Sequence, residues 1–230
     1  MSVAQPVAVV TGGNRGLGRE LCRQLALLGY FVVLGCRDLR RGALTAKELD
    51  PEASRIFPVQ LEIDSSRSVA ALPGWLREQF GRCDVLVNNA ATPVDRWAMA
   101  SNADLGAVAE AIDVNLFGAW RVIQAVLPLL RSSPQPRIVN VSTEDASIAA
   151  MTGGGPAVSV SKAALNALTR MLAGELGRDG ILVNAVAPGT ISEQGGRSAA
   201  QAAASVIWAV TLPNGGPTGT FTRDGRPFPW

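Results

Sequence analysis

The sequence predicts a single-domain α/β protein, residues 1–230, built on a doubly wound parallel sheet of about seven strands with helices on both faces. Three observations predict it. Short apolar runs rich in β-branched residues, such as 7–10 (VAVV), suit strands buried on both faces. Between them, apolar residues recur at helical spacing. The two patterns alternate along the whole chain, as strand–helix–strand crossovers of a parallel sheet require. No internal repeat or linker divides the 230 residues, a length sufficient for one sizeable core.

The elements follow in order. Residues 7–10 form the first strand, and 11–18 (TGGNRGLG) carry glycines at 12, 13, 16 and 18. Leu17, Leu21, Leu25 and Leu28 mark the helix that follows. Residues 31–36 are the second strand, and 40–49 an amphipathic helix stopped by Asp50 and Pro51. Residues 56–61 are the third strand. Asp64, Ser65 and Ser66 supply a cap for a helix over 67–80, in which Pro73 predicts an irregularity. The fourth strand is 85–88, a long helical stretch covers 104–130, and the fifth strand is 137–142. A helix over 157–176, a sixth strand over 181–187, an alanine-rich helix over 198–212 and a short strand over 219–222 complete the chain. The polar loop 190–197 and the glycines 153–155 are the segments whose composition predicts mobility.

Composition narrows the function classes. A net charge of +2, with no basic block, gives no electrostatic case for nucleic acid or a membrane surface. No apolar run reaches the length of a membrane span. The first ten residues lack a charged region before the first strand, which predicts no signal peptide and a cytoplasmic location. Cys22, Cys36 and Cys83 read as free, mostly buried thiols. The absence of histidine removes His-based triads, His metal sites and imidazole acid–base catalysis, and no metal site is expected. Tyr30 is the single tyrosine.

Strand, glycine turn and helix form the geometry that holds a phosphate at a helix N-terminus, where free N–H groups and the dipole favour negative charge. Glycine belongs there because a Cβ would keep a pyrophosphate away from the backbone. The alternative is a tight structural turn. Five further motifs follow in order: Asn88, Asn89 and Ala90 (NNA); 114–118 (VNLFG); 138–142 (IVNVS); 161–165 (SKAAL); and 187–189 (APG). With these the chain resembles the short-chain dehydrogenase/reductase superfamily, of Rossmann fold, over its whole length. Its N-terminal third and its tail, residues 206–213 and Trp230, are most similar to monomeric carbonyl reductases. The segment before Lys162 is too short for the insertion that those relatives carry.

The resemblance implies a nicotinamide cofactor held by Gly12, Asn14, Arg15, Gly16, Leu17, Gly18, Arg37, Glu62, Ile63, Asn89, Ala90, Lys162, Pro188 and Gly189. NAD-preferring relatives place a carboxylate where this chain has Cys36. Arg15 and Arg37 are suited to a phosphate through forked, charge-assisted hydrogen bonds, which predicts NADP(H); the alternative is that both are solvated turn residues. Glu62 stands where relatives have Asp beside the adenine, and Ala91 replaces the family's glycine.

In relatives, a tyrosine gives the proton, a lysine four residues later lowers the tyrosine pKa, a serine holds the carbonyl and an asparagine supports a water chain. Lys162 and Asn115 match. Val158 occupies the tyrosine position, Thr143 aligns with the serine, and Glu193 lies near the carboxamide-binding threonine. Glu144, Asp145 and Glu193 are candidate substitute acids, because a carboxyl group in an apolar pocket titrates near neutrality; a solvated loop start is the alternative for the first two. Trp97 and Trp208 are candidate pocket walls or plain packing. These readings imply altered acid–base chemistry (cyclisation, isomerisation or dehydration) on a small apolar carbonyl or hydroxylated intermediate. An NADPH-dependent carbonyl or enone reductase with a substitute proton donor and a non-catalytic NADP(H)-binding partner are the alternatives. Relatives pair through the two long helices, so a homodimer or homotetramer is expected, with Val122, Val126, Leu168 and Leu172 facing either the partner or the sheet.

Overall fold

The computed structural model describes residues 5–92, 97–191 and 196–230. Its sheet has eight strands: β1 (Val7–Thr11), β2 (Phe31–Cys36), β3 (Ile56–Gln60), β4 (Val85–Asn88), β5 (Arg137–Val141), β6 (Leu182–Val186), β7 (Phe221–Arg223) and β8 (Arg226–Pro227). Their spatial order is β3-β2-β1-β4-β5-β6-β7-β8. All neighbours are parallel except β7 and β8. The eighth strand is an addition to the expected seven: Asp224 and Gly225 both adopt positive φ and turn the chain back on itself. Strand order reverses between β1 and β4, and the crevice at the carboxyl ends of these strands is where such sheets bind ligands.

Seven α-helices cover the two faces: α1 (Gly16–Leu27), α2 (Leu39–Leu49), α3 (Ser66–Gln79), α4 (Leu105–Ile112), α5 (Ala119–Arg131), α6 (Pro156–Leu176) and α7 (Ala199–Val210). Asp38 caps α2, accepting from the Arg41 amide at 3.1 Å, and Ser65 caps α3 through the Ser68 amide. Ser198 and Gln201 form a capping box on α7. Helix α3 runs unbroken through Pro73, so the expected irregularity is absent. The long helix expected over 104–130 is instead α4 and α5 joined by a π-helical segment, Asp113–Gly118. Such π turns are rare and are frequently found at functional sites; here the segment contains the buried Asn115.

Alternation along the strands divides the core. Val7, Val9 and Val33 face Leu72 and Leu76 of α3, Val122 and Val126 of α5, and Leu165 and Leu168 of α6. Ala8, Val10, Val32 and Leu34 face Leu21 and Leu25 of α1 and Val206 and Val210 of α7. Val122, Val126, Leu168 and Leu172 are therefore committed to this chain's own core. The large apolar side chains that α4, α6 and the π segment expose are Leu105, Phe117, Val160 and Met171. The three cysteines are buried and free. Tyr30 sits at the amino edge of β2 against the core, far from the crevice end of the sheet. No helix among the described residues is long and apolar enough to cross a membrane.

Candidate active site

The glycine turn is shaped from both sides. Gly12 adopts φ +65°. A Cβ on Gly18 would lie 2.2 Å from the Gly12 carbonyl oxygen and 2.6 Å from Asn89 Nδ2, so glycine is obligatory there. The Asn89 side chain donates to the Thr11 and Gly12 carbonyls at 2.9 and 3.2 Å. The Thr11 hydroxyl accepts from the amides of Asn89 and Ala90 at 3.0 and 2.9 Å. These bonds fasten the end of β1 to the end of β4. No side chain caps the N-terminus of α1, and its first turn holds no acidic residue, so its N–H groups and dipole are available to an anion.

A cavity of about 470 Å³ opens over this turn. Gly12, Asn14, Arg15, Gly16, Leu17 and Gly18 line it, with Arg37, Ile63, Asn89 and Ala90, so ten of the expected cofactor residues gather in one cleft. Arg41, in the first turn of α2, brings a third guanidinium to the rim. Its Nε lies 3.4 Å from Asp38 Oδ2, an exposed pair. Cys36 lines the cleft, its thiol 3.2 Å from the Asp38 carbonyl. Glu62 is absent from the lining, and its carboxylate accepts from Gln60 at 3.0 Å. Asp64 stands in the cleft wall beside Ile63. Ile63 packs against Gly118 so closely that a Cβ there would meet Ile63 Cγ1 at 2.8 Å. The cradle and the guanidinium cluster fit the phosphates of a dinucleotide.

At the other end, the carboxyl edge of β5 meets α6. Lys162 Nζ donates to the Val141 carbonyl at 2.7 Å, and the residue is 5% exposed. Burial lowers its pKa from 10.5 to about 8. Asn115, turned inward by the π segment, donates to Ser161 Oγ at 2.9 Å and to Thr92 Oγ1 at 3.3 Å, while its Oδ1 accepts from the Thr92 amide at 3.0 Å. Thr92 itself lines the cleft, so Asn115 links the cleft wall to α6. Val158 is buried on α6, one turn before Lys162, and its carbonyl accepts from Ser161 Oγ at 3.2 Å. Ser142 Oγ is buried at the end of β5 with no hydrogen-bond partner among the described residues.

Neither Glu144 nor Asp145 sits in an apolar pocket as a free acid. Glu144 pairs with Arg223 of β7 at 2.7 Å. Asp145 is exposed and accepts from the Thr143 hydroxyl at 3.4 Å. Thr143 caps a 3-10 turn, Glu144–Ala146, so its hydroxyl already has local partners. Glu193 lies outside the described residues. Trp97 is 97% exposed and does not line this cleft. Trp208 packs beside Gly225, where a Cβ would approach its indole to 2.9 Å, and belongs to the core. Pro188 and Gly189 follow β6, and the Pro188 carbonyl accepts from Arg197 at 3.1 Å.

Residues 6–203 match the short chain dehydrogenase family. The chain belongs to that family. Short-chain dehydrogenase/reductase 1 of Saponaria officinalis is 31% identical, covering 93% of this chain and 92% of the relative. Carbonyl reductase [NADPH] 1 of Mus musculus is 31% identical over 287 aligned positions, covering all of both chains. That span exceeds the 230 residues here, so the chain lacks segments the mouse protein has. Among solved structures, the Pseudomonas aeruginosa RhlG/NADP active-site complex superposes with a TM-score of 0.83 at 29% identity, covering 96% of this chain and 95% of that one.

Arg41, Asp64, Arg197 and Arg223 are further neighbours of the expected site residues. Arg41 follows closely on Arg37 and Asp64 directly on Ile63, so both lie within local reach of expected residues. Arg197 and Arg223 depend on packing between distant segments and leave no local signal.

Proposed function

We propose that this chain is an NADPH-dependent reductase of a small apolar carbonyl or enone compound, with Lys162 as proton donor in the absence of a tyrosine at position 158. The observation that carries this reading is a cleft whose glycine cradle is ringed by Arg15, Arg37 and Arg41, together with a buried lysine of α6, outside the cleft lining, at the carboxyl end of β5. The mouse relative is named for NADPH, and the Pseudomonas structure is a complex with NADP, which supports the same cofactor here. NADPH supplies a hydride when bound. Arg15, Arg37 and Arg41 hold the extra phosphate by charge-assisted bonds. Asn115 fixes Thr92 in the cleft wall; Thr143 would have to turn its hydroxyl from Asp145 to reach a substrate oxygen. Lys162 holds a proton at Nζ and gives it to that oxygen as negative charge develops. Hydride transfer is favoured over cyclisation, isomerisation or dehydration because the mouse relative is named an NADPH carbonyl reductase, and of the candidate acids among the described residues Glu144 is engaged by Arg223 while Asp145 lies in solvent. Exposed Leu105, Phe117, Val160 and Met171 support pairing into a homodimer or homotetramer.

The test is NADPH oxidation with a panel of ketones, quinones and enones, with NADH as control. Substrate-dependent loss of NADPH absorbance supports the reading. Product formation without any change in the cofactor returns the non-redox chemistry, and tight NADPH binding without turnover of any substrate returns the non-catalytic partner.

A further inference from the structure

Arg197 joins three segments that are distant in sequence. Its backbone N–H donates to the Thr190 carbonyl at 2.9 Å, closing the 190–197 loop at its base. Its guanidinium donates from Nη1 to the Pro188 carbonyl at 3.1 Å, and from Nη2 to Asp224 Oδ1 at 2.7 Å and to the Gln201 carbonyl at 3.4 Å. The same Asp224 oxygen accepts from Ser205 Oγ of α7. One side chain thus binds the segment leaving β6, the first turn of α7 and the turn between β7 and β8.

The packing is close on every side. A Cβ on Gly189 would lie 2.7 Å from Arg197 Cδ, so the aliphatic part of Arg197 rests on the backbone of that turn. Asp224 holds φ +53°, a conformation that side chains other than Asn, Asp and Gly rarely adopt. Gly225 beside it has no Cβ and lets Trp208 pack against the same turn. The Arg197 guanidinium and the Ser205 hydroxyl hold the Asp224 carboxyl below its usual range, so the pair stays charged at neutral pH.

The location gives the network a role beyond stability. Pro188 and Gly189 leave the sheet at the carboxyl end of β6, next to the end of β5 where Lys162 meets Val141. That edge is where a parallel sheet presents its ligand. We propose that Arg197 is a positioning residue for the reacting end of this site, acting through the backbone at Pro188 and Gly189, with Asp224 and Ser205 as its anchor. The proposal rests on the reductase reading for its kinetic consequences and on the fold alone for its structural ones.

The experiment compares wild type, Arg197→Met, Arg197→Lys and Asp224→Asn by kinetics with NADPH and by backbone hydrogen exchange with and without NADPH. Arg197→Met is expected to lower kcat by about 10–10²-fold, the scale of an ångström-sized misplacement. NADPH affinity, set mainly at the arginine end, is expected to change little. In the wild type NADPH slows exchange at 187–191, and in Arg197→Met this protection is lost. Arg197→Lys keeps the charge opposite Asp224 but cannot fork, so it is expected to recover thermal stability and only part of kcat. Asp224→Asn leaves the bond to Pro188 and falls between. Arg197→Met with normal kcat and normal protection overturns the proposal, as does a loss of kcat fully restored by lysine. If the wild type binds NADPH without turnover, the reductase reading fails and the exchange comparison alone decides: protection lost in Arg197→Met supports the proposal, and protection retained overturns it.

Discussion

Lys162 and Val141 meet at 2.7 Å, an ammonium of α6 against the last carbonyl of β5, in a position closed to solvent. One carbonyl does not replace the hydration of a full charge, and burial therefore brings the pKa to about 8. If Lys162 gives the proton, kcat/KM falls as pH rises through about 8, because the neutral amine has no such proton to give. The sign for stability is opposite. Between about 8 and 10.5 the unfolded chain binds the proton that the folded chain has lost, so this residue makes stability rise with pH across that window. Lys162→Met is expected to lower kcat by about 10²–10⁴-fold while retaining the thermal midpoint near neutrality. A pH–rate profile and thermal melts measure both; an activity plateau extending well above pH 8 excludes Lys162 as the donor.

Arg37, just before the N-cap of α2, and Arg41, in its first turn, line the cleft together with Arg15. All three are exposed, so their attraction for a phosphate is direct but screened by salt. Replacing Arg37 and Arg41 together with alanine is expected to weaken NADPH binding by about 10²-fold, the scale of two charge-assisted hydrogen bonds, and to leave NADH unchanged. Titrations at two ionic strengths check it: the NADPH preference shrinks as salt rises in the wild type and is absent in the double variant. Equal affinity of the wild type for both cofactors would remove the phosphate role.

Val158 is 7% exposed and lies on the same helical face as Lys162, one turn earlier. A tyrosine there would bring a phenol beside a buried ammonium, the pairing that lowers a phenol pKa. Val158→Tyr is expected to raise NADPH-dependent ketone reduction by about 10²–10⁴-fold, at an overpacking cost of about 1–3 kcal/mol. Steady-state rates alongside thermal melts read both quantities. A folded, NADPH-binding variant with no gain in rate shows that the proton enters the site from another direction.

Periodicity and glycine placement carry most of the fold in the sequence itself. Apart from the half-buried edge strand β3, the strands before β7 are short buried runs, and buried runs are legible because both faces of a parallel strand are covered. The π segment at Asp113–Gly118 is not legible, since it keeps helical composition and differs only in hydrogen-bond register. The hairpin of β7 and β8 has a local signal, since Asp224 and Gly225, both at positive φ, form the two-residue turn that joins antiparallel strands; the sequence reading stops at the strand before it. In the site, the cradle and Lys162 follow from local motifs. Glu144 and Asp145 illustrate the limit. Both follow Thr143 and read alike, yet one is held by Arg223, 79 positions away, and the other faces water. Only packing between β5, β7 and α6 decides between those outcomes.

Gly18 gives the sharpest stability test of the cradle. A methyl group at this position would sit 2.2 Å from the Gly12 carbonyl oxygen and 2.6 Å from Asn89 Nδ2. Neither neighbour is free to retreat: Gly12 is fixed in a left-handed conformation, and Asn89 spends its amide on the Thr11 and Gly12 carbonyls. Gly18→Ala therefore separates α1 from the turn and breaks the fastening between β1 and β4. In an exposed helix the same change stabilises by up to about 1 kcal/mol; here it is expected to cost about 3 kcal/mol and to abolish measurable NADPH binding. The control is Gly174→Ala, where a Cβ meets nothing within 4 Å and helix propensity alone acts. Chemical denaturation of the two variants side by side gives the comparison, and a Gly18→Ala protein as stable as Gly174→Ala, with cofactor still bound, would show that the turn relaxes and that the close approach is not what holds the cradle.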